Sequence, residues 1–277
     1  METLWKQETP LHPTFVPLNR CLAEDWFLLP YELQLQRAHA RALHEAGILT
    51  GLECRALVEA LEQLTREYVG APCPHDEAED LHTWVESGLA DLLGEPGKKI
   101  HTARSRNDQV ATLLKMYVID AGERLSEALR KLVRTCGVRA RDWSNLVFPL
   151  QTHTQFAAPG TVGFWVLRYA ASFHRIRLHL DSCVMQWRED CPLGSGAVAG
   201  SSIPIDRTVQ ATALGFERPS LNALDSTSTR DECLQWLSAG TQAALHLQSL
   251  ATDVILFSQT PLAWTRYPAA FGTGSSM

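Results

Sequence analysis

The segment from His101 to Lys115, HTARSRNDQVATLLK, is unusually dense in side chains that bind ligands. Arg104 and Arg106 carry planar guanidinium groups, whose donors match the geometry of carboxylates. Ser105 and Asn107 add neutral donors, and the apolar periodicity that follows predicts a helix whose unpaired backbone N–H groups point to the same place. A capped helix with solvated charges is the alternative. The density of donors in one turn favours a small anionic ligand.

Further polar residues stand in four segments, which are EDLHTWVE with His82, QTHTQ with Thr152 and His153, DSTSTRD with Arg230, and the C-terminal GTGSSM. A histidine can donate or accept a proton near neutral pH, which suits acid–base chemistry. Each segment also has a structural interpretation: a hydrogen-bonded helical histidine, ordinary helix capping by Ser, Thr and Asp, or a glycine-rich linker. None of the four identifies a reaction by itself.

Composition narrows the class of protein. The 277 residues are 45% hydrophobic and 20% charged, with a net charge of −6. Such a chain resembles ordinary globular proteins, and no basic field favours nucleic acid or a membrane surface. Seven scattered cysteines without CxxC, and histidines without HExxH spacing, argue against a zinc site and a disulfide framework. We therefore expect a cytoplasmic protein without a metal cofactor.

Helical periodicity dominates the chain and predicts an all-α fold. Shorter helices are expected over 31–47, from a cap at Thr50 to Tyr68, and over 76–93. Longer helices are expected over 107–141, 160–187 and 229–258. A helix of about 35 residues spans about 50 Å, so these long helices predict a bundle. Their apolar stripes favour burial against other subunits over a monomeric antiparallel bundle.

Two glycine-containing segments separate the predicted elements. GEPGKK, residues 94–99, is a turn cluster and the expected boundary between an N-terminal helical domain, residues 1–98, and a long-helix bundle domain, residues 99–277. PLGSGAVAGSSIPIDR, residues 192–207, has no preceding strand and no GK[ST], which argues against a nucleotide-binding loop. It is interpreted as a flexible connector between long helices.

Taken together, these motifs resemble the argininosuccinate lyases of the fumarase and aspartase superfamily, to which the delta-crystallins are related. HTARSRNDQVAT, EDLHTWVE, THTQ, PLGSGAVAGSSIPIDR and GSSM follow that family's order and approximate spacing from about Pro17 to Met277. The resemblance implies a β-elimination that splits argininosuccinate into arginine and fumarate without metal or organic cofactor. It also implies a homotetramer in which each site draws residues from three chains.

The resemblance also assigns roles to residues of this chain. It implies that Ser276 is the base on a closing loop and that His153 is the acid or its proton relay. The implied ligands of the succinyl carboxylates are Ser105, Arg106, Asn107 and Thr152, with His82 and Arg230 beside the same cavity.

Several departures from the family's pattern leave alternatives open. The family's signature continues as GSSxMPxKxNP, whereas this chain stops at Met277, so we expect an inactive fragment that lacks the signature lysine and a C-terminal small helical domain. Cys21 and Ala103 replace a serine and a glycine near the expected substrate. The alternatives are a superfamily lyase with another leaving amine, such as adenylosuccinate lyase or an aspartase-like enzyme, and a non-catalytic structural homologue resembling a crystallin.

Overall fold

The computed structural model describes residues 12–76, 78–272 and 274, and in that part of the chain α-helices predominate. The fold is the helical one that the periodicity predicts. The α-helices are α1 (Val16–Asn19), α2 (Leu22–Asp25), α3 (Leu29–Glu45), α4 (Gly51–Tyr68), α5 (Leu81–Leu93), α6 (Glu95–Lys98), α7 (Arg106–Asp142), α8 (Val162–Trp187), α9 (Arg207–Ala213), α10 (Ala223–Ser228) and α11 (Asp231–Phe257). The strands are β1 (Val147–Thr152), β2 (Gln155–Thr161), β3 (Asp190–Cys191) and β4 (Arg218–Pro219).

The chain divides into two compact units that do not follow a single cut in the sequence. Unit 1 consists of the residues up to Tyr117 together with Trp187–Thr229. Unit 2 consists of Val118–Gln186 and the residues from Arg230 onwards. Helix α7 therefore contributes to both units, which divide it after Tyr117.

The core of unit 1 is built from the apolar faces of α3, α4 and α5. Helix α4 begins at Thr50 with a capping box, in which the Thr50 hydroxyl and the Glu53 carboxylate each accept a backbone N–H of the other residue. Helix α5 begins later than the sequence predicts, because the Asp80 carboxylate accepts from Thr83 N and caps the helix there. Fully buried leucines fill the space between these helices, including Leu33, Leu43, Leu57, Leu61, Leu81 and Leu89.

The three long helices lie within one or two residues of their predicted bounds. In unit 2, α8 and α11 are joined by Asp253, whose Oδ2 accepts from Trp165 Nε1 at 2.8 Å and from Tyr169 Oη at 2.5 Å. Helix α7 is joined to α8 by a hydrogen bond from Ser126 to Asp181. None of the helices in the described residues combines the length and apolar character needed to cross a membrane.

A β-hairpin occupies residues 147–161, between the long helices predicted over 107–141 and 160–187. Strands β1 and β2 pair antiparallel, and the turn residues His153 and Thr154 have φ values of 52° and 62°. Two consecutive positive φ angles are those of the tight turns that match strand twist. Phe148 packs its ring against Phe257 and Trp264 at centroid distances of 5.2 and 5.0 Å, which anchors β1 in unit 2.

Gly97 sits where α6 meets the end of α5, and a Cβ at this position would lie 2.1 Å from the carbonyl oxygen of Leu89. We expect Gly97→Ala to lower the free energy of unfolding by about 1–3 kcal/mol, because backbone must move to admit the methyl group. Urea denaturation measures this difference. Gly88→Ala on α5 is the control, since its Cβ would meet nothing within 4 Å. Equal destabilisation by the two variants would contradict the close approach.

Candidate active site

The start of α7 carries the donors that the sequence analysis singles out. Arg106, the first residue of the helix, directs Nη1 to Gln109 Oε1 at 3.1 Å and Nη2 to Thr83 Oγ1 at 3.2 Å. Its side chain is 35% exposed. Asn107 is exposed, and its Nδ2 donates to Ser105 Oγ at 3.2 Å. Ser105, Arg106 and Asn107 therefore form a partly open polar rim at a helix N-terminus, where an anion is favoured.

Arg104 differs from Arg106, although both are predicted to grip a ligand. The Arg104 side chain is fully buried, and its Nη2 donates to Gln36 Oε1 at 2.9 Å and to Glu86 Oε1 at 3.1 Å. Ala103, immediately before it, has a φ of 64°, a left-handed conformation that redirects the chain ahead of α7. The prediction of a ligand-facing Arg104 is wrong, because this guanidinium is enclosed by the protein.

His82 lies on α5 within the same unit. It is 4% exposed, and its Nδ1 lies 2.9 Å from Oε2 of Glu32 on α3. Thr83, the next residue, accepts the hydrogen bond from Arg106 described above. Asp80, which caps α5, lies 3.5 Å from Arg106 Nε. The structure thus brings His82 and Arg106 into one cluster between α5 and the start of α7.

Glu86 is the acidic centre of this cluster. Its Oε1 lies 3.1 Å from His101 Nδ1 and Arg104 Nη2 and 3.3 Å from Arg106 Nη1. Burial by itself raises the pKa of Glu86, but the hydrogen bond from His101 and the charges of Arg104 and Arg106 outweigh it. The pKa of Glu86 is lowered from 4.5 to about 2. The carboxylate therefore stays ionised and holds the two arginines together.

The low pKa of Glu86 makes stability depend on pH. Since the folded pKa lies below the unfolded value, ionised Glu86 stabilises the fold above about pH 4.5, and this contribution is lost as the pH falls towards about 2. We expect Glu86→Gln to lower the free energy of unfolding at neutral pH by about 3 kcal/mol. The variant should also lose less stability than the parent on acidification. Urea titrations at several pH values test this, with Glu59→Gln, at an exposed position, as the control. A difference in unfolding free energy between the parent and Glu86→Gln that does not change with pH would contradict the prediction.

The GSG loop, defined here as Gly194–Gly196, is held by Asp108 of α7. Oδ2 of Asp108 accepts from Gly194 N and Gly196 N, both at 2.9 Å, and Oδ1 accepts from Ser105 N at 2.9 Å. Burial raises the pKa of Asp108, and the three backbone donors oppose that rise. Arg207 donates from Nη2 to the fully buried Ser195 at 2.9 Å. The GSG loop is thus held by hydrogen bonds at both of its glycines, whereas the sequence predicts a flexible connector over residues 192–207.

The remaining predicted site residues lie elsewhere in the chain. Thr152 ends β1, His153 forms the exposed hairpin turn, and both belong to unit 2. Arg230 immediately precedes α11 and also belongs to unit 2. Ser276 lies outside the described residues. Within unit 1, the structure groups Ser105, Arg106, Asn107 and His82 around the start of α7.

Three residues of this cluster that the sequence analysis above does not predict are fully buried, namely Glu32, Gln36 and Gln109. Glu32 and Gln36 are spaced by one helical turn and interrupt the face of α3 that carries Leu29, Leu33 and Leu43. Polar side chains with that spacing beside an apolar stripe indicate a buried polar network, because a charged group is rarely buried without partners. This signal was present in the sequence.

The chain is similar to known lyases over nearly all of its length. It matches the family described as lyase over residues 19–277. It is 39% identical to the argininosuccinate lyase of Acidobacterium capsulatum and 38% identical to that of Koribacter versatilis, each alignment covering 96% of this chain. It spans 56% and 57% of the length of these relatives. The solved structure of EDDS lyase in complex with formate superposes with a TM-score of 0.83 and 25% identity, over 92% of this chain and 50% of that one.

The long-helix fold is accordingly one that this chain shares with a solved lyase structure. The chain belongs to the lyase family matched over residues 19–277.

Proposed function

We propose that the protein is an argininosuccinate lyase, a carbon–nitrogen lyase that splits argininosuccinate into arginine and fumarate in arginine biosynthesis. The observation that carries this proposal is the 39% identity to an argininosuccinate lyase across 96% of the chain. The donors at the start of α7 support it, because a partly open cation with neutral donors beside it suits a dicarboxylate.

The reaction is a β-elimination, and the roles of the residues follow from its charges. A base removes the proton from the carbon next to a carboxylate, and the electron pair left there expels the nitrogen, which an acid protonates. We assign the base to Ser276 and the acid, or its proton relay, to His153. Negative charge that develops on the succinyl carboxylates needs fixed donors. We assign that task to Ser105, Arg106, Asn107 and Thr152, with His82 and Arg230 beside them.

We also assign a homotetramer to the complete protein, with sites that draw residues from more than one copy. Large apolar side chains along α8 and α11 remain exposed in the single chain, and burial against other copies would remove them from water. They include Phe164, Leu167, Leu178, Met185, Leu234, Leu237, Leu245 and Ile255.

The scattered free cysteines support a cytoplasmic location.

Fumarate release, followed by its ultraviolet absorbance, tests the proposed reaction with the complete gene product. Argininosuccinate should give the signal, whereas adenylosuccinate, aspartate and EDDS should give little. EDDS is included because of the structural similarity to EDDS lyase. His153→Asn should abolish turnover, and His174→Asn, an exposed histidine on α8, should not. Fumarate release from one of the other three compounds but not from argininosuccinate would reassign the substrate. No fumarate release from any of the four would favour a structural role.

A further inference from the structure

The carboxylate of Glu32 is buried at the meeting point of α3, α5 and α7. Its Oε1 accepts from Gln36 Nε2 and from Gln109 Nε2, both at 2.6 Å, and its Oε2 lies 2.9 Å from His82 Nδ1. Glu32, Gln36 and Gln109 are each fully buried. Three donors from three helices therefore converge on one acceptor that water does not reach.

This carboxylate is ionised. Burial raises the pKa of Glu32, but the charge and hydrogen bond of His82, the charge of Arg104 and the hydrogen bond of Gln36 outweigh burial and lower it. An ionised carboxylate can only accept hydrogen bonds. The proton of the contact to His82 therefore lies on Nδ1 of the imidazole in both the charged and the neutral ring, and in the neutral ring Nε2 is the nitrogen without a proton.

The same carboxylate determines the orientation of the Gln109 amide. Because Gln109 Nε2 donates to Glu32, its Oε1 is the end that faces Arg106, where it accepts from Nη1 at 3.1 Å. With this amide reversed, two donors would face each other at Arg106 and an acceptor would face the Glu32 carboxylate. Glu32 thus determines which atoms donate and which accept in two sets of hydrogen bonds. One set joins it to His82, and the other reaches Arg106 through Gln109.

We propose that Glu32 is a positioning residue of the active site, which fixes the tautomer of His82 and, through Gln109, the orientation of Arg106. The role rests on the proposed function, since His82 and Arg106 are assigned there to the substrate. Glu32 acts through the two residues that it contacts, His82 and Gln109. A carboxylate that merely fills space would hold the helices together without dictating where the imidazole proton lies.

Glu32→Gln separates these two roles, because an amide has nearly the same shape but one end that donates. If the amide oxygen of the variant accepts from Gln36 and Gln109, its NH2 group faces His82 Nδ1. We then expect His82 to change to the tautomer that carries its proton on Nε2. Two-bond 15N–1H correlation spectra of histidine-labelled protein distinguish the two tautomers, and the spectrum of His82→Gln assigns the signal.

Kinetics provide the second measurement on the complete gene product. We expect Glu32→Gln to lower kcat by about 10- to 100-fold with a smaller change in KM, the range found for residues that orient a metal-binding histidine through a hydrogen bond. Glu32→Asp keeps the charge and should keep the parent tautomer, with part of kcat recovered. Glu45→Gln, an exposed residue at the end of the same helix, should match the parent in both measurements.

Failure of the Glu32 proposal can be distinguished from failure of the proposed function. If Nδ1 of His82 carries no proton in the unmodified protein, the proposal is overturned even if no Glu32 variant folds. An unchanged tautomer and kcat in a folded Glu32→Gln protein would also overturn it. If the unmodified protein releases no fumarate from any substrate, the proposed function fails, whereas the tautomer spectra still decide whether Glu32 controls His82.

Discussion

Arg106→Ala is expected to lower kcat/KM for argininosuccinate by about 100- to 1000-fold, the effect of deleting one fixed donor to developing negative charge. Arg106 is the partly exposed arginine at the start of α7, whereas the side chain of Arg104 is fully buried. Its fork is held by Thr83 and Gln109, so that the charge is in place before a substrate arrives. Steady-state fumarate release by the complete gene product measures the loss.

The stability of the variant distinguishes a catalytic from a structural arginine. Because the Arg106 side chain is 35% exposed, its ion pairs with Asp80 and Glu86 should contribute only about 1 kcal/mol. We expect the helical circular dichroism of Arg106→Ala to match that of the parent. Arg66→Ala, an exposed arginine on α4, should leave activity and stability unchanged. Unfolding of Arg106→Ala would show instead that the arginine is structural.

Asp108→Ala is expected to lower the free energy of unfolding by about 3–5 kcal/mol, the cost of removing one partner from a buried network. The side chain is fully buried and accepts three backbone N–H groups, which the alanine would leave without a partner. The GSG loop would lose its attachment to α7, and the α7 start would lose its cap at Ser105. Urea denaturation of parent and variant gives the difference.

Two further variants show which contacts of Asp108 matter. Asp108→Asn keeps one acceptor oxygen and should lose less stability than the alanine variant. Asp91→Ala, an exposed aspartate on α5, should change the free energy of unfolding little. An Asp108→Ala protein as stable as the parent would mean that the GSG loop is held by Arg207 alone. Activity should fall with stability in Asp108→Ala, since Ser105 belongs to the proposed carboxylate site.

Local signals account for what the sequence determined by itself. The capping box at Thr50 and the long apolar periodicities predict α4, α7, α8 and α11 to within one or two residues, because caps and side-chain periodicity act over a few turns. The same local pattern placed donors at the start of α7. The family followed from the order of motifs along the chain, and the match to the lyase family confirms it.

Only the tertiary structure distinguished Arg104 from Arg106, and only it gave Glu32 its place beside His82 and Gln109. Two arginines in one turn are equivalent in sequence, and their exposure depends on which helices pack over each of them. Likewise, the glycines at 194 and 196 predict a flexible connector, but their N–H groups donate to the carboxylate of Asp108, which holds the loop in place. Burial and hydrogen-bond partners are set by contacts between residues far apart in the chain, which local periodicity does not encode.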